Sequence, residues 1–73
     1  MARRKDGLAT RERILAAAAE VFSRNGFRDT IIADVAEAAG ANTASIHYHF
    51  SDKESLYREV WRMVVEESLQ LYP

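Results

Sequence analysis

The sequence predicts an all-α fold, and three observations support that prediction. Apolar residues recur three and four positions apart along most of the 73-residue chain, which is the spacing of one helix face. Alanine is abundant, and it has the highest helix propensity of the amino acids. The one proline stands at the last position, so it interrupts no helix interior. We therefore expect a small helical domain.

The first helix is predicted over residues 10–24, with Thr10 as a suitable N-cap. Residues 1–9 lack periodicity and are expected to form a flexible basic arm. The pair Asn25 and Gly26 should end the helix, after which Phe27 is expected to fold back onto the core. The predicted apolar stripe of this helix is Ile14, Leu15, Ala18, Val21 and Phe22.

Residues 30–50 are predicted to form two short helices joined by a tight turn. The second helix should begin at Asp29 or Thr30 and end at Gly40, where a left-handed backbone conformation costs least. Asn42 is a good side-chain cap for the third helix, because its oxygen can accept a hydrogen bond from an otherwise unpaired amide.

The third helix has two different faces. Ile46 and Phe50 are four residues apart and share one face, whereas Ala44 and Tyr48 lie on the opposite side. One face for a core and one small, polar and aromatic face for a partner is the layout of a helix-turn-helix recognition helix.

A fourth helix is predicted from about residue 53 to Tyr72, because Ser51 followed by Glu54 is a capping-box pattern. Its apolar residues are too many for one stripe, so part of its apolar surface should be covered by a partner. These residues are Leu56, Tyr57, Val60, Trp61, Met63, Val64, Val65, Leu69 and Tyr72.

Composition excludes several classes of protein. The chain has no cysteine, so disulfides and thiolate metal sites are ruled out. No apolar run approaches the roughly 20 residues of a membrane span, and no signal-peptide pattern follows the charged N-terminus. We expect a cytoplasmic protein. A chain this short is marginally stable alone, so oligomerisation or a larger parent chain should add stability.

The net charge of −1 conceals an asymmetry. Residues 1–28 hold seven Lys/Arg against three acids, a balance of +4, whereas residues 29–73 hold three against eight, a balance of −5. Because the local field decides phosphate binding, the basic N-terminal part is compatible with a DNA partner. Arg3, Arg4 and Lys5 would either contact DNA or remain solvated.

Residues 10–60 carry a pattern at fixed offsets across three helices and both turns. It consists of Arg11, Ile14, Leu15, Ala17, Ala18, Phe22, Gly26, Phe27, Thr30, Asp34, Val35, Ala36, Ala39, Gly40, Ile46, His49, Phe50, Lys53, Glu54 and Leu56. This pattern resembles the DNA-binding head of TetR-type transcriptional regulators. The resemblance implies a three-helix, homeodomain-like helix-turn-helix head over residues 10–52. Residues 53–73 would then begin a linker helix toward a ligand-binding and dimerisation domain that this chain lacks.

The resemblance further implies a ligand-responsive repressor that binds double-stranded DNA at a palindromic operator. The full-length protein would be a homodimer, and a small-molecule inducer would bind the absent domain. In the family, movement of the fourth helix relays ligand binding. No cofactor and no enzymatic activity are expected.

The resemblance also assigns roles to individual residues. Thr43, Ala44 and Ser45 are expected to meet base edges, and Tyr48 a base or the backbone. His47, His49 and Lys53 are expected to hold phosphates. The full predicted DNA-binding set is Thr30, Asn42, Thr43, Ala44, Ser45, His47, Tyr48, His49 and Lys53.

The chain departs from the family pattern at His47, where many members have tyrosine. A protonated histidine donates more strongly to phosphate, so we hypothesise that DNA affinity depends on pH. Ala33 replaces a frequent arginine and removes one possible groove contact. Ala44 replaces a frequent glycine and adds a methyl group.

Each assignment has a simpler alternative. Tyr48 would be an ordinary exposed aromatic, His49 a packing residue and Lys53 a solvated lysine. His47 and His49 diverge by about 200° on a helix, which argues against a metal site. The rival function is a protein-interaction module that uses the apolar fourth helix and does not bind DNA. Tyr48→Ala and Lys53→Ala should damage only the first function, and Trp61→Ala only the second.

Overall fold

The computed structural model describes the backbone of residues 2–71 and the side chains of residues 9–69. Within that range it has four helices and no strand: α1 (Ala2–Asp29), α2 (Ile32–Ala39), α3 (Thr43–His49) and α4 (Lys53–Leu71). The predicted all-α fold is therefore confirmed. The predicted end of the fourth helix at Tyr72 lies outside the described residues.

The first helix begins earlier than predicted. It starts at Ala2, not at Thr10, because six of residues 2–9 are good helix formers and only Asp6 and Gly7 are weak ones. The prediction of an N-terminal boundary at Thr10 is thus wrong, and the backbone of the predicted arm is helical. The side chains of Arg3, Arg4 and Lys5 lie outside the described residues.

One core joins all four helices. α1 packs against α2, α3 and α4, and its predicted stripe is buried throughout. Burial of this apolar surface is the main source of the domain's stability. The buried apolar residues are Ile14, Leu15, Ala17, Ala18, Val21, Phe22, Val35, Ala36, Ala39, Ile46, Phe50, Leu56 and Val60.

An aromatic cluster connects the end of α1 to α4. The Tyr57 ring lies 4.9 Å from the Phe22 ring and 4.8 Å from the Phe27 ring, between centroids. The first pair meets edge to face at 75°, a favourable geometry for two aromatic rings. The prediction that Phe27 folds back onto the core is confirmed.

The later part of α4 leaves apolar side chains exposed, as its sequence predicts. Trp61, Val64, Val65 and Leu69 are between 40% and 69% exposed. None of the helices in the described part of the chain is long and apolar enough to cross a membrane.

α2 begins at Ile32, later than the predicted Asp29 or Thr30. Thr30 is fully buried, and its hydroxyl donates to the Gly26 carbonyl oxygen at 2.7 Å. Because that hydroxyl is bonded to a residue of the preceding helix, it does not cap α2. The Asp34 carboxylate instead accepts a hydrogen bond from the Ile31 backbone N–H at 3.4 Å, which stabilises the start of α2.

α4 is capped one residue later than the predicted Ser51–Glu54 box. Asp52 accepts a hydrogen bond from the Ser55 backbone N–H at 2.7 Å. The hydrogen bonds from the Ser55 backbone and side chain lower the pKa of the Asp52 carboxyl, because they favour its charged form. The Ser51 hydroxyl lies 3.1 Å from the Ser55 hydroxyl, so Ser51 supports this turn without capping the helix.

Two glycines adopt positive φ angles, and they are not equivalent. Gly40 ends α2 in the left-handed helical region, at φ 66° and ψ 36°. Gly26 divides α1 at φ 82° and ψ 164°, a region populated almost only by glycine. An added Cβ would meet no atom within 4 Å at either site, so the cost of alanine is purely conformational.

We expect Gly26→Ala to lower the free energy of unfolding by about 1–3 kcal/mol. Gly40→Ala should cost less, about 1–2 kcal/mol, and Gly40→Asn less again, because asparagine tolerates the left-handed region. Urea denaturation followed by circular dichroism measures all three variants. A Gly26→Ala protein as stable as the parent would show that the kink in α1 is not required.

Candidate nucleic-acid interface

The turn between α2 and α3 is held by specific hydrogen bonds. The Gly40 and Ala41 backbone N–H groups donate to the carbonyls of Glu37 and Ala36 at 3.2 and 2.9 Å, which closes the end of α2. The Asn42 side chain then accepts from the Ser45 backbone N–H at 2.8 Å. The predicted roles of Gly40 and Asn42 as helix end and helix cap are confirmed.

The two predicted faces of α3 are present. Ile46 and Phe50 are 0% and 4% exposed, whereas Tyr48 is 85% exposed. Asn42, Thr43, Ala44 and His47 are also exposed, and Ser45 and His49 are half-buried. The exposed face of α3, residues 42–45 and 47–49, is therefore small and polar at its beginning and aromatic toward its end.

His49 lies between two aromatic rings. Its ring centroid is 5.0 Å from that of Tyr48, edge to face, and 6.2 Å from that of Phe50. The packing role considered for His49 is thus real. The residue is half-buried, so part of its surface remains accessible.

Thr30 is not on this face. Its side chain is 0% exposed and bonded to Gly26, so the prediction that it contacts DNA is wrong for the side chain. The physical reason is the late start of α2, which leaves Thr30 in the interior turn before the helix.

Lys53 is also directed into the protein. Its ammonium donates to the carbonyl oxygens of Phe27 at 2.8 Å and Thr30 at 2.9 Å, and lies 4.3 Å from the centroid of the Phe27 ring. The structure therefore does not show the outward-pointing lysine that the predicted phosphate contact needs. Nor is Lys53 the freely solvated lysine of the alternative interpretation.

Two arginines of α1 make contacts with other parts of the fold that the sequence analysis did not predict. The Arg13 Nε donates to the carbonyl of Ala39 at 2.8 Å, where the last turn of α2 has unpaired acceptors. The Arg11 guanidinium lies 5.0 Å from the Phe50 ring centroid and 3.4 Å from a Glu59 carboxylate oxygen. The sequence carries no local signal for either contact, because the partners are 26 or more residues away.

The electrostatics of the interface follow from these contacts. No lysine or arginine occurs between Asp29 and Asp52, so α3 itself carries no permanent positive charge. His47 and His49 are the side chains of its exposed face that can become cationic. Across the described residues there is no group of three or more side chains able to hold a metal ion.

Residues 14–60 match the family model described as bacterial regulatory proteins, tetR family. This range contains the stripe of α1, both helices of the helix-turn-helix and the first part of α4. It covers more than half of the chain, and it includes every described residue of the exposed face of α3.

Curated proteins with similar sequences are transcriptional regulators. The HTH-type transcriptional regulator AcrR of Shigella flexneri is 37% identical over 60 residues, 82% of this chain and 28% of AcrR. The HTH-type transcriptional repressor KstR2 of Rhodococcus jostii is 36% identical over 62 residues, 85% of this chain and 30% of KstR2. The regulator RutR of Escherichia coli is 38% identical over 58 residues, 80% of this chain and 27% of RutR. The chain thus spans less than a third of the length of these relatives.

Proposed function

The chain belongs to the tetR family of bacterial regulatory proteins, and from this premise we propose that it is the DNA-binding head of a transcriptional regulator. The family consists of regulatory proteins, in agreement with the prediction that the chain is not an enzyme. Membership of this family does not favour the alternative function, a protein-interaction module that does not bind DNA.

The observation that carries the proposal is the exposed face of α3. An α-helix such as α3 is about 10–12 Å across with its side chains, which matches the major groove of B-DNA, about 12 Å wide. Its first turn is fixed by the Asn42 cap, and Ile46 and Phe50 anchor its other side in the core. A rigid helix with one free face of short polar side chains and an aromatic ring is suited to reading base edges.

The exposed residues divide into two groups by their reach. Thr43, Ala44 and Ser45 are short and stand at the start of α3, where a helix approaches the base edges most closely. The Ala44 methyl group can contact a thymine methyl, and the hydroxyls can donate to or accept from any base. Tyr48 follows along the same face and contacts a base or the backbone.

The histidines supply the phosphate contacts in this proposal. His47 is exposed, and His49 is held beside Tyr48 by the packing of its ring. Imidazole N–H groups donate to phosphate oxygens, and the bond strengthens when the ring is protonated. Neither contact identifies a base, so these residues fix orientation and leave specificity to the first turn of α3.

For the full-length protein we propose a cytoplasmic homodimer that represses transcription from a palindromic operator. Two heads related by two-fold symmetry would meet half-sites about 34–36 Å apart, one turn of DNA. An inducer bound in the additional domain would change this spacing through α4. The names of KstR2 and of a probable acrEF/envCD operon repressor of Escherichia coli support repression as the output.

Selection of bound duplexes from a random pool tests the proposal. The chain is joined after its last residue to a neutral dimerising helix, and a Tyr48→Ala version is selected in parallel. We expect a recurring palindrome with the parent and loss of enrichment with the variant. Binding that is sequence-blind in both, and disappears at moderate salt, would overturn the proposal, because nonspecific phosphate attraction behaves in this way.

A further inference from the structure

The α2–turn–α3 unit, residues 31–52, begins and ends at the same place. Lys53 follows its last residue, and Thr30 precedes its first. The Lys53 ammonium donates to the carbonyl of Thr30, 23 positions earlier, and to the carbonyl of Phe27, 26 positions earlier. One side chain therefore connects the two ends of the unit.

The Thr30 carbonyl depends on this donor more than the Phe27 carbonyl does. The Phe27 carbonyl also accepts a hydrogen bond from the Thr30 backbone N–H at 3.3 Å. The Thr30 carbonyl precedes the start of α2 at Ile32, and its residue is fully buried, so an acceptor left unpaired there would be costly. The Lys53 ammonium satisfies the Thr30 carbonyl, adds a second bond to the Phe27 carbonyl, and lies 4.3 Å from the centroid of the Phe27 ring, where it is attracted by the aromatic face.

The position of α3 depends on this connection. α3 is attached to the domain through the turn at 40–42 and through residues 50–52, which lead directly into α4. At the first attachment, Arg13 donates to the Ala39 carbonyl and fixes the end of α2. At the second, Lys53 fixes the first turn of α4 against the corner formed by residues 27–30.

We propose that Lys53 is a positioning residue for DNA recognition. It closes the α2–turn–α3 unit at its base and sets the orientation of α3, acting through the carbonyls of Phe27 and Thr30 and not through a phosphate. The proposal rests on the DNA-binding function proposed above. It assigns to a lysine of the helix-turn-helix region a role that charge alone would not suggest.

The test compares Lys53→Met, which keeps the side-chain stem but removes the ammonium, with Lys53→Arg and with Arg24→Met. Arg24 is exposed and makes no ion pair with another described residue, so its variant controls for the loss of one positive charge. Affinity for the selected duplex is measured by anisotropy over a range of salt concentrations. The temperature is chosen so that circular dichroism shows each variant fully folded. Lys53→Gln replaces Lys53→Met if the latter does not fold.

We expect Lys53→Met to weaken binding about tenfold or more, with the same salt slope as the parent. Lys53→Arg should not restore affinity, because a planar guanidinium does not reproduce the compact ammonium between the two carbonyls. Arg24→Met should leave affinity within about twofold. A salt slope reduced by about one in Lys53→Met, together with rescue by arginine, would instead identify a phosphate contact and overturn the proposal. Unchanged affinity in a folded Lys53→Met protein would overturn it as well, because the role would then be structural only.

A measurement without DNA separates this proposal from the proposed function. Amide chemical shifts of Lys53→Met are compared with those of the parent. Residues 42–50 should shift along with residues 27–32 if Lys53 positions α3. Shifts confined to residues 27–32 would overturn the positioning role, whatever the DNA result. If instead α3 shifts but the parent selects no duplex, it is the DNA-binding function that fails.

Discussion

Replacing Leu56 by alanine should lower the free energy of unfolding by about 2–5 kcal/mol. Leu56 is 0% exposed and belongs to the same core as Ile14, Val35 and Ile46. A domain of 73 residues is expected to have a total stability of roughly 4–11 kcal/mol, so this loss is a large share of it. Because Leu56 lies in the first turns of α4, the substitution also loosens the attachment of α3 to that helix.

Leu69→Ala is the matched control, because it makes the same change in the same helix. Leu69 is 69% exposed, so its truncation should alter stability by less than about 0.5 kcal/mol. Urea unfolding followed by circular dichroism compares the two variants. Equal losses would contradict the account of the core, in which α4 is buried at its beginning and exposed toward its end.

Tyr48→Ala should weaken binding to the selected duplex by about 1–3 kcal/mol and relax its sequence preference. The Tyr48 ring is 85% exposed and stands toward the end of the exposed face of α3, with the His49 ring beside it. Removing an exposed side chain with so little packing should change stability by no more than about 0.5 kcal/mol. The Tyr48→Ala substitution is thus expected to lower the affinity for the duplex while leaving the free energy of unfolding almost unchanged.

Two further variants serve as controls for the effect of Tyr48→Ala on duplex affinity. Tyr48→Phe separates the contribution of the ring from that of the hydroxyl. Trp61→Ala removes another exposed aromatic side chain, 54% exposed but on α4, and should leave DNA affinity unchanged. If Trp61→Ala weakened binding while Tyr48→Ala did not, α4 and not α3 would carry the interaction.

The parts of the fold that depend on local sequence were predictable. The stripe of α1, the opposed faces of α3 and the Asn42 cap follow from residues within a few positions of one another, and the structure has all of them. The helix starts were less predictable. The sequence predicts that the second helix begins at Asp29 or Thr30, but the Thr30 hydroxyl donates to the carbonyl of the preceding Gly26, and α2 begins at Ile32.

The roles of the charged residues were the least predictable. The sequence shows where positively charged residues are frequent. It does not show which of these side chains form hydrogen bonds or ion pairs within the protein. Arg11, Arg13 and Lys53 make contacts with residues 23 to 48 positions away in the sequence. Such partners become neighbours only after the helices have packed. The inward direction of Lys53 consequently removes one cation from the surface beside α3, and in the proposed function the short polar side chains and Tyr48 supply the specificity.

The most direct test of DNA recognition by α3 is a titration of the labelled chain with the selected duplex, followed by amide chemical shifts. We expect the largest changes at residues 42–49, with smaller changes at Lys53 and residues 27–30 and little effect beyond residue 60. Changes concentrated in the exposed part of α4, around residues 61–69, with α3 unaffected would show that α3 does not carry the interaction.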